Sequence, residues 1–316
     1  MSTQSEIIRI AVIGVGRLGE FHVQNLQKIS GVEIVGIMDV NEGRAREISE
    51  KYNVPVVTDK SSLVGKVDAV TVVVPTIEHY EVSKYFLEKG IHTLVEKPIT
   101  SGLNQAEEIL HIAHDNKAIL QVGHVERFNL GVIKLREVVK DPRFIECHRL
   151  APFDPRIKDV GVVLDLMIHD IDIILTVVDS EISKIEGVGV NVLTSFEDIA
   201  NARITFENGC VANITASRIS NTRHRKIRIF QEGAYLSLDY MKPELSVLRK
   251  VNKKGQLDIS HELISFTQET TSLQRELESF IESIRLKKPP VVTGSHGRDA
   301  LQVALEITRQ CGKFIQ

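Results

Sequence analysis

The sequence predicts an α/β protein in which a doubly wound parallel sheet is followed by an α+β domain with a mostly antiparallel sheet. Two observations carry this. Over roughly the first 125 residues, short apolar runs alternate with helical patterns, as repeated βα units do. In the second half, strand-like runs follow one another with short turn sequences between them, which is typical of hairpins.

The strand-like runs of the first half are short and rich in β-branched residues. They cover residues 8–13, 33–38, 55–58, 69–74, 92–95 and 119–122, and helical patterns begin at Leu18, Glu42, Ser61, Glu78 and Asn104. Residues 70–74 are apolar almost without alternation, which indicates a strand buried on both faces of a parallel sheet.

The second half begins with a helix near residues 129–139. Strand-like runs then cover 143–150, 184–192, 200–206, 210–216, 226–230, 234–238 and 245–250, with an apolar helix at 163–178 between the first two. Helices near 272–286 and 297–311 close the chain. We therefore predict two domains, 1–123 and 124–316, and leave open that the helix at 297–311 packs back on the first domain.

Composition narrows the possible partners and surroundings. The chain has a net charge of -3, with 42% hydrophobic and 26% charged residues, so it gives no electrostatic case for nucleic acid or an anionic membrane as a partner. No apolar run approaches the roughly 18 residues of a membrane span, and the first residues lack the layout of a signal peptide. We expect a cytoplasmic protein. Cys147, Cys210 and Cys311 lie far apart, so neither disulfides nor a structural metal is expected.

A glycine-rich loop connects the first strand to the first helix. Gly14, Gly16 and Gly19 have the spacing GxGxxG, with Arg17 and Leu18 inside the loop. The first glycine permits a tight turn, the second lets the backbone approach a pyrophosphate, and the third allows close packing of helix on strand. The helix N-terminus adds free N–H groups and a partial positive charge. A plain glycine turn has the same spacing, but this context predicts a dinucleotide site of the Rossmann type.

An acidic residue follows at the end of the next strand. Asp39 lies about 20 residues after Gly19, where a carboxylate binds the adenine-ribose hydroxyls. Because a carboxylate there should repel a 2′-phosphate, we expect NAD as the cofactor rather than NADP. Arg17 and Arg44 are the residues that could instead reach such a phosphate.

Further candidates follow the third and fourth strands of the sheet. Ligands of an open parallel sheet bind beyond the carboxyl ends of its strands. We expect five residues near the nicotinamide: Pro75, Thr76, His79, Glu96 and Lys97. Lys97 is also a candidate catalytic residue, although a surface lysine paired with Glu96 has the same spacing.

A polar stripe marks the apolar helix at 163–178. Asp165, His169 and Asp172 are spaced i, i+4 and i+7 and share one face. Burying such groups is costly unless they pair or face a cavity. A carboxylate one turn from a histidine can orient the ring and raise its basicity, as a general base requires. A hydrogen-bonded core histidine and a metal site are the alternatives, and the ligands are too few for the second.

The residues after the last strand of the first domain are our candidates for lining the substrate or nicotinamide pocket. They are His124, Arg127, Phe128 and Asn129.

In their order and separations, Gly14–Gly19, Asp39, Glu96-Lys97-Pro98 and Asp165-x-x-x-His169 resemble the Gfo/Idh/MocA oxidoreductase family. The resemblance covers nearly the whole chain. It implies an NAD-dependent oxidoreductase acting on a CH–OH group of a sugar or cyclitol. It also implies an open sheet in the second domain whose exposed face makes a homodimer or homotetramer. Lys97 and His169 would flank the reacting carbon, with Asp165 alongside.

Residues 122–129 and 163–172 further resemble the subgroup of UDP-N-acetylglucosamine 3-dehydrogenases, which oxidise the 3-hydroxyl of the sugar on the route to the 2,3-diamino sugars of lipid A. Met167 replaces the small residue usual in the wider family, which favours this subgroup, whereas Leu130 replaces a proline frequent in it. The resemblance implies a UDP-N-acetylhexosamine substrate, whose diphosphate would need basic groups, and Arg149 and Arg156 are candidates for them.

Two alternatives to this function remain. The first is a dehydrogenase or reductase of another sugar or an inositol-like cyclitol. The second is a non-catalytic NAD-binding regulator, against which the presence of Lys97, Asp165 and His169 argues.

Overall fold

The computed structural model describes residues 7–154, 160–253, 256–267 and 269–312. The chain forms two compact units, Met1–Val125 with Thr270–Arg298, and Glu126–Glu269 with Asp299–Gln316. The division after Val125 lies close to the predicted boundary at residue 123, but the segment Thr270–Arg298 also belongs to the first unit, and the division after it falls inside the last helix.

The first unit is built on a five-stranded sheet in the order β2-β1-β3-β4-β5, in which all neighbours are parallel. Because the order reverses beside β1, the carboxyl ends of β1 and β3 form the switch point where ligands of doubly wound sheets bind. This confirms the predicted fold class. The strands are β1 (Ile8–Ile13), β2 (Val32–Met38), β3 (Ala69–Val72), β4 (His92–Glu96) and β5 (Leu120–Gly123), and the helices between them are α1 (Arg17–Leu26), α2 (Glu42–Tyr52), α3 (His79–Leu87) and α4 (Leu103–Asp115).

The crossover between α2 and β3 is less regular than predicted. The strand expected at 55–58 is reduced to one bridge between Val56 and Ile37, and the helix expected from Ser61 is a single 3₁₀ turn, Lys60–Leu63. Pro55 has no N–H to donate, and the carboxylate of Asp59 accepts the Ser61 amide at 2.9 Å. These two local effects stop both the ladder and a longer helix.

The helix predicted at 272–286 is confirmed, and its buried face completes the core of the first unit. Leu277, Phe280 and Ile281 of this helix join the core around β1 and the first helix. The side-chain amide of Gln121 donates to the carbonyl of Glu276 at 3.2 Å. The amphipathic pattern predicts the helix, but it does not specify which of two cores the helix covers.

The second unit contains an eight-stranded sheet in the order β13-β12-β11-β10-β6-β9-β8-β7. Its neighbours are antiparallel except for β6 and β9, so the mostly antiparallel sheet is confirmed. The sequence predicts seven of these strands and misses β13. The strands are β6 (Pro142–Leu150), β7 (Ile182–Val190), β8 (Ile199–Phe206), β9 (Val211–Ser217), β10 (His224–Gln231), β11 (Ala234–Asp239), β12 (Glu244–Lys253) and β13 (Gln256–Ser265).

Helices cover one face of this sheet. They are α5 (Leu130–Val138), which packs on β11 and β12, and α6 (Ile168–Val177), which packs on β6. Two further α-helices lie in the described part of the chain, α7 (Ser272–Leu286), described above, and α8 (Gly294–Cys311). Beyond Asp299, α8 places Ile307 and Cys311 against Gly187 and Gly189 of β7. The later part of α8 therefore belongs to the second core rather than packing back on the first domain.

The other face of the eight-stranded sheet is open. Val188, Val190 and Phe230 on it are each more than a third exposed. Within the described ranges, none of the helices is both long and apolar enough to cross a membrane.

Candidate functional site

The glycine-rich loop lies where β1 meets α1. Gly14 has φ +91°, and a Cβ there would lie 2.3 Å from the carbonyl oxygen of Val73. A Cβ on Gly19 would lie 1.9 Å from the carbonyl oxygen of Gly14, so both positions require glycine. A Cβ on Gly16 would meet nothing within 4 Å, and no side chain caps α1. The loop thus offers open space and an uncapped helix N-terminus, which fit a pyrophosphate.

Asp39 is held against this loop at the end of β2. Its carboxylate accepts hydrogen bonds from the amides of Val15 and Asn41, each at 2.8 Å. Arg44, one of the two arginines that could have favoured a 2′-phosphate, donates from Nε to the carbonyl of Val15 at 3.0 Å and pairs with Glu20. The carboxylate is therefore fixed beside the loop while the nearby guanidinium is already paired. This arrangement fits NAD.

Lys97 follows β4, and the residue before it is tied to α1. Glu96 is buried, and its Oε1 lies 3.0 Å from Nε2 of the fully buried His22. Its Oε2 accepts the amide of Lys97 at 3.3 Å. Although burial opposes ionisation, His22 and the charge of Lys97 hold the pKa of Glu96 below its ordinary value. Glu96 thus connects the helix of the glycine loop to the backbone of Lys97, a contact absent from our prediction.

His79 joins the carboxyl ends of β3 and β4. Its Nδ1 lies 2.7 Å from the carbonyl oxygen of Pro98, and its Nε2 lies 2.9 Å from that of Val74. Burial lowers the pKa of His79 below its ordinary value, and the hydrogen bonds to the two carbonyls offset only part of this shift. Because the ring is 1% exposed, His79 supports these loops from inside instead of lying open to a cofactor. Pro75 and Thr76, at the end of β3, keep some exposure.

The segment that carries His169 is not one regular helix. Residues Val163–Met167 form a π-helical turn, and α6 begins at Ile168. A π-helical turn shifts the residues before it around the helix axis, and such turns are frequent at functional sites. Asp165 and His169 are half-buried, whereas Asp170 and Asp172 are each 1% exposed. The predicted stripe therefore divides, and Asp172 belongs to the interior.

Two buried arginines occupy the interior beside α6. Arg127 donates from Nε and Nη2 to Asp172 at 2.6 and 2.8 Å. Arg149 donates to Asp170 at 2.8 and 2.9 Å and to Glu126 at 2.9 Å. A buried guanidinium is tolerated only with such paired carboxylates. Arg127 and Arg149, which we expected to contact the substrate, are therefore residues of buried ion pairs, and Asp172 is one of their partners.

The remaining pocket candidates are also largely interior. His124 is 1% and Phe128 5% exposed. Asn129 caps α5, since its Oδ1 accepts the amide of Gly131 at 2.9 Å. Arg156 lies outside the described residues. No local feature of the sequence marks Glu126 or Asp170 as ion-pair residues. His22 could have been noticed as a lone histidine on the apolar face of α1.

The chain matches two family models. The Gfo/Idh/MocA oxidoreductase family model, an NAD-binding Rossmann fold, matches residues 8–124. The Gfo/Idh/MocA C-terminal domain matches residues 141–237.

Similar proteins include dehydrogenases of a nucleotide sugar and of inositols. UDP-N-acetylglucosamine 3-dehydrogenase of Acidithiobacillus ferrooxidans is 34% identical, over 98% of this chain and 99% of its own. A solved structure of that enzyme has a TM-score of 0.91 at 33% identity, with 98% and 99% covered. Myo-inositol 2-dehydrogenase of Thermotoga maritima is 27% identical, with 93% of each chain covered. The scyllo-inositol dehydrogenase of Lactobacillus casei with bound NAD(H) shares the fold, with a TM-score of 0.82 at 21% identity over 98% of each chain.

Proposed function

The chain belongs to the Gfo/Idh/MocA oxidoreductase family, and we propose that it oxidises the 3-hydroxyl of a UDP-N-acetylhexosamine such as UDP-N-acetylglucosamine to the 3-keto sugar, with NAD as cofactor. The proposed substrate rests on the 34% identity, over nearly the full length of both chains, to a UDP-N-acetylglucosamine 3-dehydrogenase. The second candidate is an inositol-like cyclitol, which is favoured by the 27% identity to a myo-inositol 2-dehydrogenase.

The proposed mechanism divides binding and proton transfer among a few residues. The glycine loop would hold the pyrophosphate of NAD and Asp39 its adenine ribose, and the bound cofactor would supply the hydride acceptor for the oxidised carbon. His169 accepts the proton of the ring hydroxyl, and Asp165 orients the imidazole of His169. Lys97 stabilises the alkoxide that develops on the substrate.

Contacts within each unit hold the backbone beside some of these residues in place. Glu96 and His79 hold the backbone on the two sides of Lys97, through the Lys97 amide and the Pro98 carbonyl. The π-helical turn ends just before Ile168, so it sets the direction of the neighbouring His169. Preorganised groups of this kind supply much of the stabilisation of a charged transition state.

We further propose a setting for the reaction. The open face of the eight-stranded sheet, with Val188, Val190 and Phe230 exposed, would bind the same face of a second copy in a homodimer or homotetramer. The enzyme would work in the cytoplasm, and its 3-keto product would be aminated towards the 2,3-diamino sugars of lipid A.

The variant His169→Ala tests the proposed base. We expect kcat with UDP-N-acetylglucosamine to fall by about 10²–10⁴-fold, the contribution typical of general base catalysis, while the Kd for NAD stays unchanged. The measurements are NADH absorbance and NAD titration. His111→Ala, which changes an exposed histidine of α4, is the matched control. Turnover of His169→Ala at the rate of the unmodified enzyme would remove His169 from the mechanism.

A further inference from the structure

Two arginines face each other across the second sheet, close to the start of α6. Arg225 of β10 lies directly opposite Arg149 of β6 in the antiparallel register. Both side chains lie on the covered face of the sheet, the same face as the buried Cys147 and Ile227 two residues along each strand. Like charges directly opposite each other destabilise a sheet unless anions balance them.

Among the described residues, Arg149 has more and closer carboxylate partners than Arg225 has. Arg149 has Asp170 and Glu126 as close partners. The ion pair of Arg225 is with the same Oε1 of Glu126, at the longer distance of 3.7 Å. The Nε of Arg225 is buried and has no hydrogen-bond partner among the described residues. Burial and the charge of Arg149 lower the pKa of Arg225, and the nearby carboxylate of Glu126 offsets only part of that shift.

Arg225 is also the accessible member of this group. Its side chain is 34% exposed, against 2% for Arg149. Arg149 binds Asp170, the residue next to His169 in the chain. Arg225 is therefore linked to the segment of the proposed base through Glu126 and then Arg149. Arg223 lies near Arg225 but is exposed, so solvent screens its charge.

We propose that Arg225 binds the diphosphate of the nucleotide-sugar substrate and thereby selects sugar nucleotides over uncharged sugars and cyclitols. This inference rests on the proposed function. A guanidinium donates paired hydrogen bonds to phosphate oxygens, and a diphosphate supplies negative charge beyond the one carboxylate that Arg225 shares with Arg149. A cyclitol has no charge to offer this residue.

The test compares Arg225→Gln and Arg225→Lys with the matched control Arg223→Gln in the full-length protein. Calorimetry measures the Kd for UDP in the presence of NAD, and the Kd for NAD reports folding. We expect Arg225→Gln to weaken UDP binding by about tenfold to a hundredfold, the usual worth of a charged hydrogen bond. We expect Arg225→Lys to lie between, and Arg223→Gln to change UDP binding by less than about threefold because its cation is exposed and screened.

Kinetics give an independent readout. The KM for UDP-N-acetylglucosamine should rise in Arg225→Gln with kcat little changed, because a contact remote from the reacting carbon contributes equally to substrate and transition-state binding.

The outcomes separate this inference from the proposed function. If the unmodified enzyme binds UDP and Arg225→Gln binds it equally well, the Arg225 assignment is overturned and the proposed function stands. If the unmodified enzyme oxidises cyclitols and neither binds UDP nor oxidises UDP-sugars, both are overturned. If both Arg225 variants lose NAD binding together with UDP binding, Arg225 is a structural residue and the assignment is overturned.

Discussion

His22 and Glu96 form a buried pair on which the position of Lys97 depends. Their side chains are 0% and 9% exposed, and no local sequence signal specifies a contact between residues 74 positions apart. Removing one partner of a buried pair leaves the other charge unpaired, which typically costs about 3–5 kcal/mol. The contact is therefore as much a part of the fold's stability as of the proposed site.

The variant His22→Leu should lower the free energy of unfolding near neutral pH by about 3 kcal/mol. Since the folded-state pKa of Glu96 is lowered, its stabilisation is complete above its ordinary pKa and is lost as the pH falls through the folded-state pKa. The difference between the unmodified protein and His22→Leu should therefore narrow in acid. Urea unfolding at neutral and acidic pH measures this, with the exposed His111→Leu as control. A difference independent of pH would contradict the pairing.

Sequence spacing places best the candidate residues whose position depends on local geometry. Gly14, Gly19 and Asp39 lie within one βαβ unit, where spacing alone sets the turn and the acid. Arg127, a predicted pocket residue, instead pairs with Asp172, which lies 45 residues away. The local sequence does not distinguish a charged residue that binds a ligand after a strand from one that pairs with a distant carboxylate.

Two glycines of the glycine-rich loop are needed for different reasons, Gly19 for the fold and Gly16 for binding of the cofactor. Gly19→Ala should lower the free energy of unfolding by about 3 kcal/mol or more, because its Cβ would meet the Gly14 carbonyl at 1.9 Å. Gly16→Ala should cost less than about 1 kcal/mol, since its Cβ meets no neighbouring atom. It should nevertheless raise the Kd for NAD about tenfold or more, because the methyl group occupies the space of the pyrophosphate. Thermal unfolding and NAD titration measure both, and unchanged NAD affinity in Gly16→Ala would refute the pyrophosphate site.

Element by element, the sequence predicts regular strands and helices better than their interruptions. The π-helical turn at Val163–Met167 is invisible in a pattern that is apolar nearly all round. The sequence does not predict β13, although Leu257, Ile259 and Leu263 alternate with polar residues. These apolar side chains are exposed at the edge of the sheet, and the segment as a whole has the composition of a loop.

At the scale of the whole molecule, the sequence predicts an NAD-binding oxidoreductase with two sheets but not how the chain is shared between its two units. The segment Thr270–Arg298 returns to the first unit after the second sheet is complete. Its helix α7 carries an apolar face that either core could bury, so only the three-dimensional contacts of Leu277 and Phe280 decide the matter. Sequence periodicity identifies a helix and its apolar face, but it does not specify which distant residues that face contacts.

The most direct test of the central claim is oxidation of UDP-N-acetylglucosamine by the purified protein with NAD. NADH absorbance gives kcat/KM for this substrate, for N-acetylglucosamine and for myo-inositol, and NMR of the product locates the new carbonyl. We predict a 3-keto UDP-sugar and a kcat/KM about 10²-fold or more above that for myo-inositol, because a site that holds a diphosphate discriminates against ligands without one. NADH formation with myo-inositol and none with UDP-N-acetylhexosamines would contradict the account.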